Sequence, residues 1–257
     1  MKTLEYRVDG SIATITIKSP PANALSSIIF KELKQMLADI KLENSIKAII
    51  LRGEGRFFSA GADIKEFTSF QDAADYQSLA EMGQHLFDEI EHFHIPIIAA
   101  IHGAALGGGL ELAMACHIRV VSEQAKLGLP ELTLGIIPGF AGTQRLPQFV
   151  GSAKAYEMIL SGDPISGIEA HRLGLANQVF SEDELFSEVT KLATKIAEKS
   201  KPTINRIMQL IPYAKTEQFS KGAQAEAKAF GEIFGSDDAR EGVKAFMEKR
   251  KPKFQDK

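Results

Sequence analysis

Ser59-Ala60-Gly61-Ala62-Asp63 and Gly107-Gly108-Gly109-Leu110-Glu111 read as the two halves of one oxyanion hole. Each packs small residues around a turn, where backbone N–H groups face outward instead of into a strand or helix ladder. Glycine and alanine let a ligand approach the main chain closely, and glycine tolerates the positive φ that such turns demand. A carbonyl oxygen held by two such donors gains most when it turns negative, as in an enolate or tetrahedral intermediate. The second stretch ends in a carboxylate, Glu111, and another follows in Leu129-Pro130-Glu131-Leu132. A solvated surface is the usual place for a glutamate. Glu111, however, enters an apolar helix, and Glu131 follows a proline between two leucines. Two carboxylates close together in a partly dry pocket cannot both ionise easily, so the pair supplies one acid and one base.

Around these stretches the chain alternates strands and helices. Leu4, Tyr6 and Val8, then Ala13, Ile15 and Ile17, alternate about Asp9-Gly10, a hairpin signal. From a cap at Ser26 or Ser27, Phe30, Leu33, Met36, Leu37 and Ile40 fall at helical spacing. Ala48-Ile49-Ile50-Leu51 reads as a buried strand ending at Gly53, and Ile97-Ile98-Ala99-Ala100-Ile101 as a second. Between them Leu79, Met82, Leu86 and Ile90 mark an amphipathic helix. A short helix near Gly109–Cys116 and a strand Ile118–Val121 follow. Near-continuous apolar strands alternating with helices predict an α/β fold with a sheet covered on both faces. Ser166 and Glu169 form a capping box, and Leu185, Val189, Leu192 and Ile196 lie on one face of a later helix, with breaks at Pro202 and Pro212. The reading divides the chain into an α/β core over 1–195 and a C-terminal helical segment over 196–257.

Composition narrows the function classes. A net charge of −3 over 257 residues gives no general surface for nucleic acid or an anionic membrane. No run of apolar residues is long enough to span a bilayer, and no apolar signal core follows Met1. The single cysteine, Cys116, excludes an internal disulfide and fits a reducing compartment, so a cytoplasmic protein is expected. Cys116 lies in an apolar run and reads as a small buried hydrophobe. His92 and His94 lack a third ligand, so no metal site is expected. Neither glycine cluster satisfies G-x-G-x-x-G, since Phe58 stands where Gly53-Glu54-Gly55 would need its third glycine.

The pattern Phe57-Phe58-Ser59-Ala60-Gly61-Ala62-Asp63-Ile64-Lys65, followed by Ile97 through Glu111, resembles the crotonase superfamily, and within it enoyl-CoA hydratase. The resemblance continues through Pro130-Glu131 and Gly135–Pro147 and resumes at Arg240–Arg250. It implies a spiral of ββα turns with a C-terminal helical trimerisation segment, in trimers or dimers of trimers. It implies an acyl-CoA thioester substrate, with CoA part of that substrate and no separate cofactor. The implied reaction is syn addition of water to a trans-2-enoyl-CoA in fatty-acid β-oxidation or related acyl degradation. The residue matching Glu131 delivers a proton to the α-carbon, and the one matching Glu111 holds and activates water. Ala62 and Gly108 match the two oxyanion amides, and Ala60, Asp63, Ile64 and Lys65 border CoA. Phe230, Phe246 and Lys249 match positions at the adenine end.

Two departures stand out. Phe140, beside Gly139 at the substrate site, occupies a place where such proteins often carry a smaller residue, and a phenyl ring there shortens the acyl pocket. His117 stands where they usually carry aspartate. The alternatives within the superfamily are chiefly a double-bond isomerase, which commonly needs one acid where a hydratase uses two. From a different class comes an RNA-binding or scaffold relative. Lys31, Lys34, Lys41 and Lys47 are interleaved with Glu32, Asp39 and Glu43, which reads as a solvated face, with no nucleic-acid partner expected.

Overall fold

The computed structural model describes residues 1–67, 73–215, 237–250 and 252–256. The chain opens with the expected hairpin. Strands β1 (Leu4–Asp9) and β2 (Ile12–Ile17) pair antiparallel around Gly10, whose φ of 56° suits the turn. Beyond β2 every strand added to this sheet is parallel to its neighbour: β3 (Ala48–Gly53), β4 (Ile97–Ile101), β6 (Ile118–Ser122) and β9 (Gln178–Phe180). The order β1-β2-β3-β4-β6-β9 follows the chain. Parallel neighbours require crossovers, which α1 (Ser27–Leu42), α3 (Ala73–Glu91), α4 (Gly108–Ala115), α5 (Gly142–Ser161) and α6 (Gly167–Arg172) supply.

A second layer lies beside the first. Short strands β5 (Ala104–Leu106) and β7 (Lys126–Gly128) pair parallel, and β8 (Ile165–Ser166) joins β7 antiparallel. Isolated parallel bridges, Ser59 to Ala105 and Leu25 to Ala62, extend this layer toward the N-terminus. Each turn of chain thus places one strand in the large sheet and one short segment in the small layer, then a helix. That repeat is the ββα spiral.

Both faces of the central strands β3 and β4 are buried, and their sequences show why. Ile49, Leu51, Ile97, Ala99 and Ile101 face the main core with α1, α3 and α4. Their alternates Ala48, Ile50, Ile98 and Ala100 face α7 (Glu182–Ala197) through Leu185, Val189 and Ala193. With both parities apolar, these strands lack the polar alternation of a one-sided sheet.

Caps follow the sequence closely. Ser26 Oγ accepts from Ile29 N at the start of α1, whose Phe30, Leu33, Met36, Leu37 and Ile40 are buried. At α6, Ser166 Oγ accepts from Glu169 N, but the Glu169 carboxylate pairs with Lys154 at 3.1 Å instead of closing the expected capping box. Helix α7 runs through Ala197, so the boundary expected at 195/196 falls inside its last turn. The interruption comes over 198–200, before α8 (Lys201–Leu210), which carries Pro202 in its first turn. After the last described helix, Asp237–Met247, the tail returns to the N-terminal half of the chain. There Asp256 meets Lys47 Nζ at 2.7 Å and accepts from Lys201 N at 2.9 Å.

Candidate active site

The two amides read as an oxyanion pair, those of Ala62 and Gly108, are set by a strand-like bridge on one side and a helix terminus on the other. Leu25 N donates to Gly61 O at 2.8 Å, and Asp63 N donates to Leu25 O at 3.0 Å. In a parallel bridge this commits residues 61 and 63 to Leu25 and turns the N–H of Ala62 the other way. Opposite it, α4 begins at Gly108, whose N–H has no acceptor within the helix. Gly107 caps this end with φ 51° and ψ −128°, a conformation open to glycine. A Cβ added to Gly108 would lie 3.4 Å from Ala62 N, so the two amides stand side by side. Among the described residues neither N–H has a protein acceptor, and both sit at the positive end of α4. The amides of Ala60 and Gly61 are engaged by Ala22 O and Ser59 Oγ.

The two acids flank these amides. Glu111 lies in the first turn of α4 and is 1% exposed. Its Oε1 accepts from Phe140 N at 2.9 Å and Gly142 N at 2.7 Å. Burial, then the neighbouring charge of Glu131, lifts its pKa from 4.5 to about 7, against the pull of those two amides and of Arg145. Glu131 opens a 3-10 turn, Glu131–Leu134, and burial raises its pKa as well. Its Oε1 faces Gly107, where a Cβ would come within 2.8 Å, and its buried Oε2 has no hydrogen-bond partner among the described residues. The charge of Glu131 is felt at Glu111, so the two carboxylates are electrostatic neighbours. Both acids, with Ala60, Ala62, Ile64, Gly108, Gly139 and Phe140, line one cleft of about 640 Å³.

This arrangement coincides with a match to the family model described as enoyl-CoA hydratase/isomerase over residues 7–257. The chain belongs to the enoyl-CoA hydratase/isomerase family. It is 56% identical over 255 residues to a probable enoyl-CoA hydratase of Bacillus subtilis, with 99% of each chain covered. It is 38% identical to a short-chain-enoyl-CoA hydratase of Clostridium acetobutylicum over 95% of this chain and 94% of that one. It is similar to the crystal structure of an enoyl-CoA hydratase from Bacillus anthracis, with a TM-score of 0.94 and 34% identity, covering 99% of this chain and all of that one. The fold is accordingly the crotonase-type spiral.

Several side chains of this enoyl-CoA hydratase/isomerase family member hold the site without standing out in the sequence. Arg145, on α5, is 5% exposed and spans three groups. Nη1 donates to Phe140 O at 3.0 Å, Nη2 to Asp88 at 2.8 Å and Nε to Glu91 at 2.9 Å. It therefore fixes the loop whose amides grip Glu111. Asn23, buried with φ 53°, accepts from Ser19 N and donates to Glu54 O and Phe57 O, pinning the segment that leads to Ala62. Gly109 has no room for a side chain, since a Cβ would lie 2.3 Å from Ser59 O.

The remaining sequence-named residues fall in different places. Asp63 is half-buried and tied to Leu25, while Ile64 is exposed at the cleft mouth on α2 (Ile64–Phe67). Lys65 is on the same turn, its side chain outside the described residues. Phe230 lies outside the described residues altogether, as does the side chain of Phe246 on the last helix. Lys249 follows that helix, exposed and apart from the residues lining the cleft. His117 Nδ1 accepts from Ile97 N at 2.9 Å, so the departure at this position joins β6 to β4. Cys116 is buried with its pKa pushed up to about 12, which makes it a poor nucleophile. His92 turns to Asp88 O and His94 packs on Phe93, and among the described residues no group of three metal-ligating side chains forms.

Proposed function

We propose that this protein is a 2-enoyl-CoA hydratase that adds water syn across the double bond of a trans-2-enoyl-CoA to give a 3-hydroxyacyl-CoA. The observation that carries the reading is the convergence, in one cleft, of two unpaired amides and two buried carboxylates with raised pKa values. With the thioester oxygen on Ala62 N and Gly108 N, electron density drawn from C3 through C2 collects on that oxygen, where both donors and the end of α4 stabilise it. Glu111 has one oxygen engaged by Phe140 N and Gly142 N, leaving the other to take a proton from water. The hydroxide adds to C3, and protonated Glu131 delivers its proton to C2 from the same side. A proton then passes from Glu111 to Glu131 by way of solvent, and the pair is reset.

In this reading the chain needs no metal and no cofactor beyond the CoA already in its substrate, because two acids and two amides account for every charge and proton moved. The residues at the adenine end, the homo-oligomer and the cytoplasmic setting belong to the same proposal, as do fatty-acid β-oxidation or related acyl breakdown. Among the described residues no helix is long and apolar enough to cross a membrane. The test is turnover of crotonyl-CoA, followed by loss of the conjugated-thioester absorbance, for wild type and Glu131→Gln. Hydration is expected in wild type and a loss of at least ~100-fold in the variant, the scale of general acid–base catalysis. A wild type that shifts the double bond of a 3-enoyl-CoA but never adds water would overturn the reading.

A further inference from the structure

We infer that Phe140 ends the acyl pocket and makes short 2-enoyl thioesters, four carbons best, the substrates of this protein; the inference rests on the hydratase reading. The ring stands against Gly108. A Cβ added to Gly108 would lie 2.9 Å from Phe140 Cε2, so the ring backs the amide that grips the thioester oxygen. The backbone N of the same residue holds Glu111 at 2.9 Å, on the side where water meets C3. Carbons beyond C3 therefore run toward a phenyl face within a few bond lengths of the chemistry.

The ring cannot swing aside to lengthen the pocket. It is 5% exposed and packs edge-on against Phe30 at 5.3 Å and Phe87 at 5.5 Å, while Phe30 and Phe87 pack on each other. On α3 it fills the notch left by Gly83, where a Cβ would stand 2.2 Å from Phe140 Cδ1. Its main chain is fixed at both ends, by Glu111 on N and by Arg145 on O. Cores at this packing density transmit a change of one methylene, so the wall is rigid on the scale of a chain increment. A longer acyl tail must turn back toward the mouth, past the exposed Leu134, Ile136 and Ile137.

The experiment measures kcat/KM for 2-enoyl-CoA substrates of four, six, eight and ten carbons, in wild type, Phe140→Leu and Phe140→Ala. Wild type is expected to favour four carbons over ten by at least ~10-fold, the discrimination a hydrophobic pocket gives per added group. The ten-to-four ratio is expected to rise at least ~10-fold in Phe140→Ala, and less in Phe140→Leu. Each ratio is internal to one variant, so an overall loss of turnover does not mask it. Binding of saturated butyryl-CoA and decanoyl-CoA to wild type, by calorimetry, reads the pocket without chemistry and without a variant that must fold. Decanoyl-CoA is expected to bind no tighter than butyryl-CoA. Decanoyl binding ~10-fold tighter, or ratios that do not move with the size of residue 140, would overturn the inference while leaving the hydratase reading intact. A wild type that hydrates no chain length at all overturns the hydratase reading instead, and the saturated series then decides the pocket.

Discussion

Glu111→Gln keeps the shape of the side chain and removes its charge, and its effects on turnover and stability have opposite signs. The carboxamide oxygen still accepts from Phe140 N and Gly142 N, so the loop stays attached. In wild type, burial and Glu131 hold the Glu111 pKa at about 7, above the 4.5 of an ordinary carboxylate. Between those values the native state binds more protons than the unfolded chain. Stability therefore falls as pH rises through this window and stays lower above it. The rise in pKa corresponds to about 3 kcal/mol at alkaline pH. The variant should exceed wild type by under about 1 kcal/mol near pH 5 and by up to about 3 kcal/mol near pH 9, while hydration drops at least ~100-fold. Urea unfolding followed by circular dichroism at the two pH values measures the first effect, and crotonyl-CoA turnover the second. A variant less stable than wild type at pH 9, with an unchanged urea slope, would refute the reasoning by showing that the charge is a net support of the fold.

Gly107→Ala forces an L-residue to φ 51° and places a methyl 2.8 Å from Glu131 Oε1. It should cost about 1–3 kcal/mol in stability and at least ~10-fold in turnover, read by thermal unfolding and kcat. Arg145→Gln removes a cation that lowers the Glu111 pKa, so the acid limb of the kcat/KM profile should move to higher pH. A limb unchanged between pH 5 and 9 would show that Arg145 acts on packing alone.

What the sequence revealed of the site was what local backbone chemistry encodes. Ala62, Gly108, Glu111 and Glu131 are legible because small residues, a helix start and a proline turn mark them within a few positions, and all four line one cleft. Arg145, Asn23 and Gly83 do not stand out in the sequence because their roles arise from distant packing. Arg145 meets Asp88 and Glu91 across more than fifty residues, and Gly83 matters only because Phe140 fills its notch. The strands and helices of the large sheet follow from periodicity. The small layer does not, since strands of two or three residues and single bridges are too short for alternation to show. The spiral was accessible through resemblance alone. The apolar stripe of α7 continues to Ile196, and the interruption that follows is set by the turn before Pro202.

The bridge between Leu25 and Ala62 makes one donor of the proposed oxyanion pair a matter of parity. Which amide faces the cleft is decided by counting along the strand from Ser59, and the side chain of Ala62 has no part in that count. Surface loops ordinarily tolerate changes of length as well as of sequence. Here only the second is tolerated. A substitution at Ala62 leaves its N–H in place, whereas a single residue gained or lost between Ser59 and Asp63 offers the substrate a neighbour's amide and turns alternate side chains to the opposite face. The segment is therefore constrained in length more tightly than in composition.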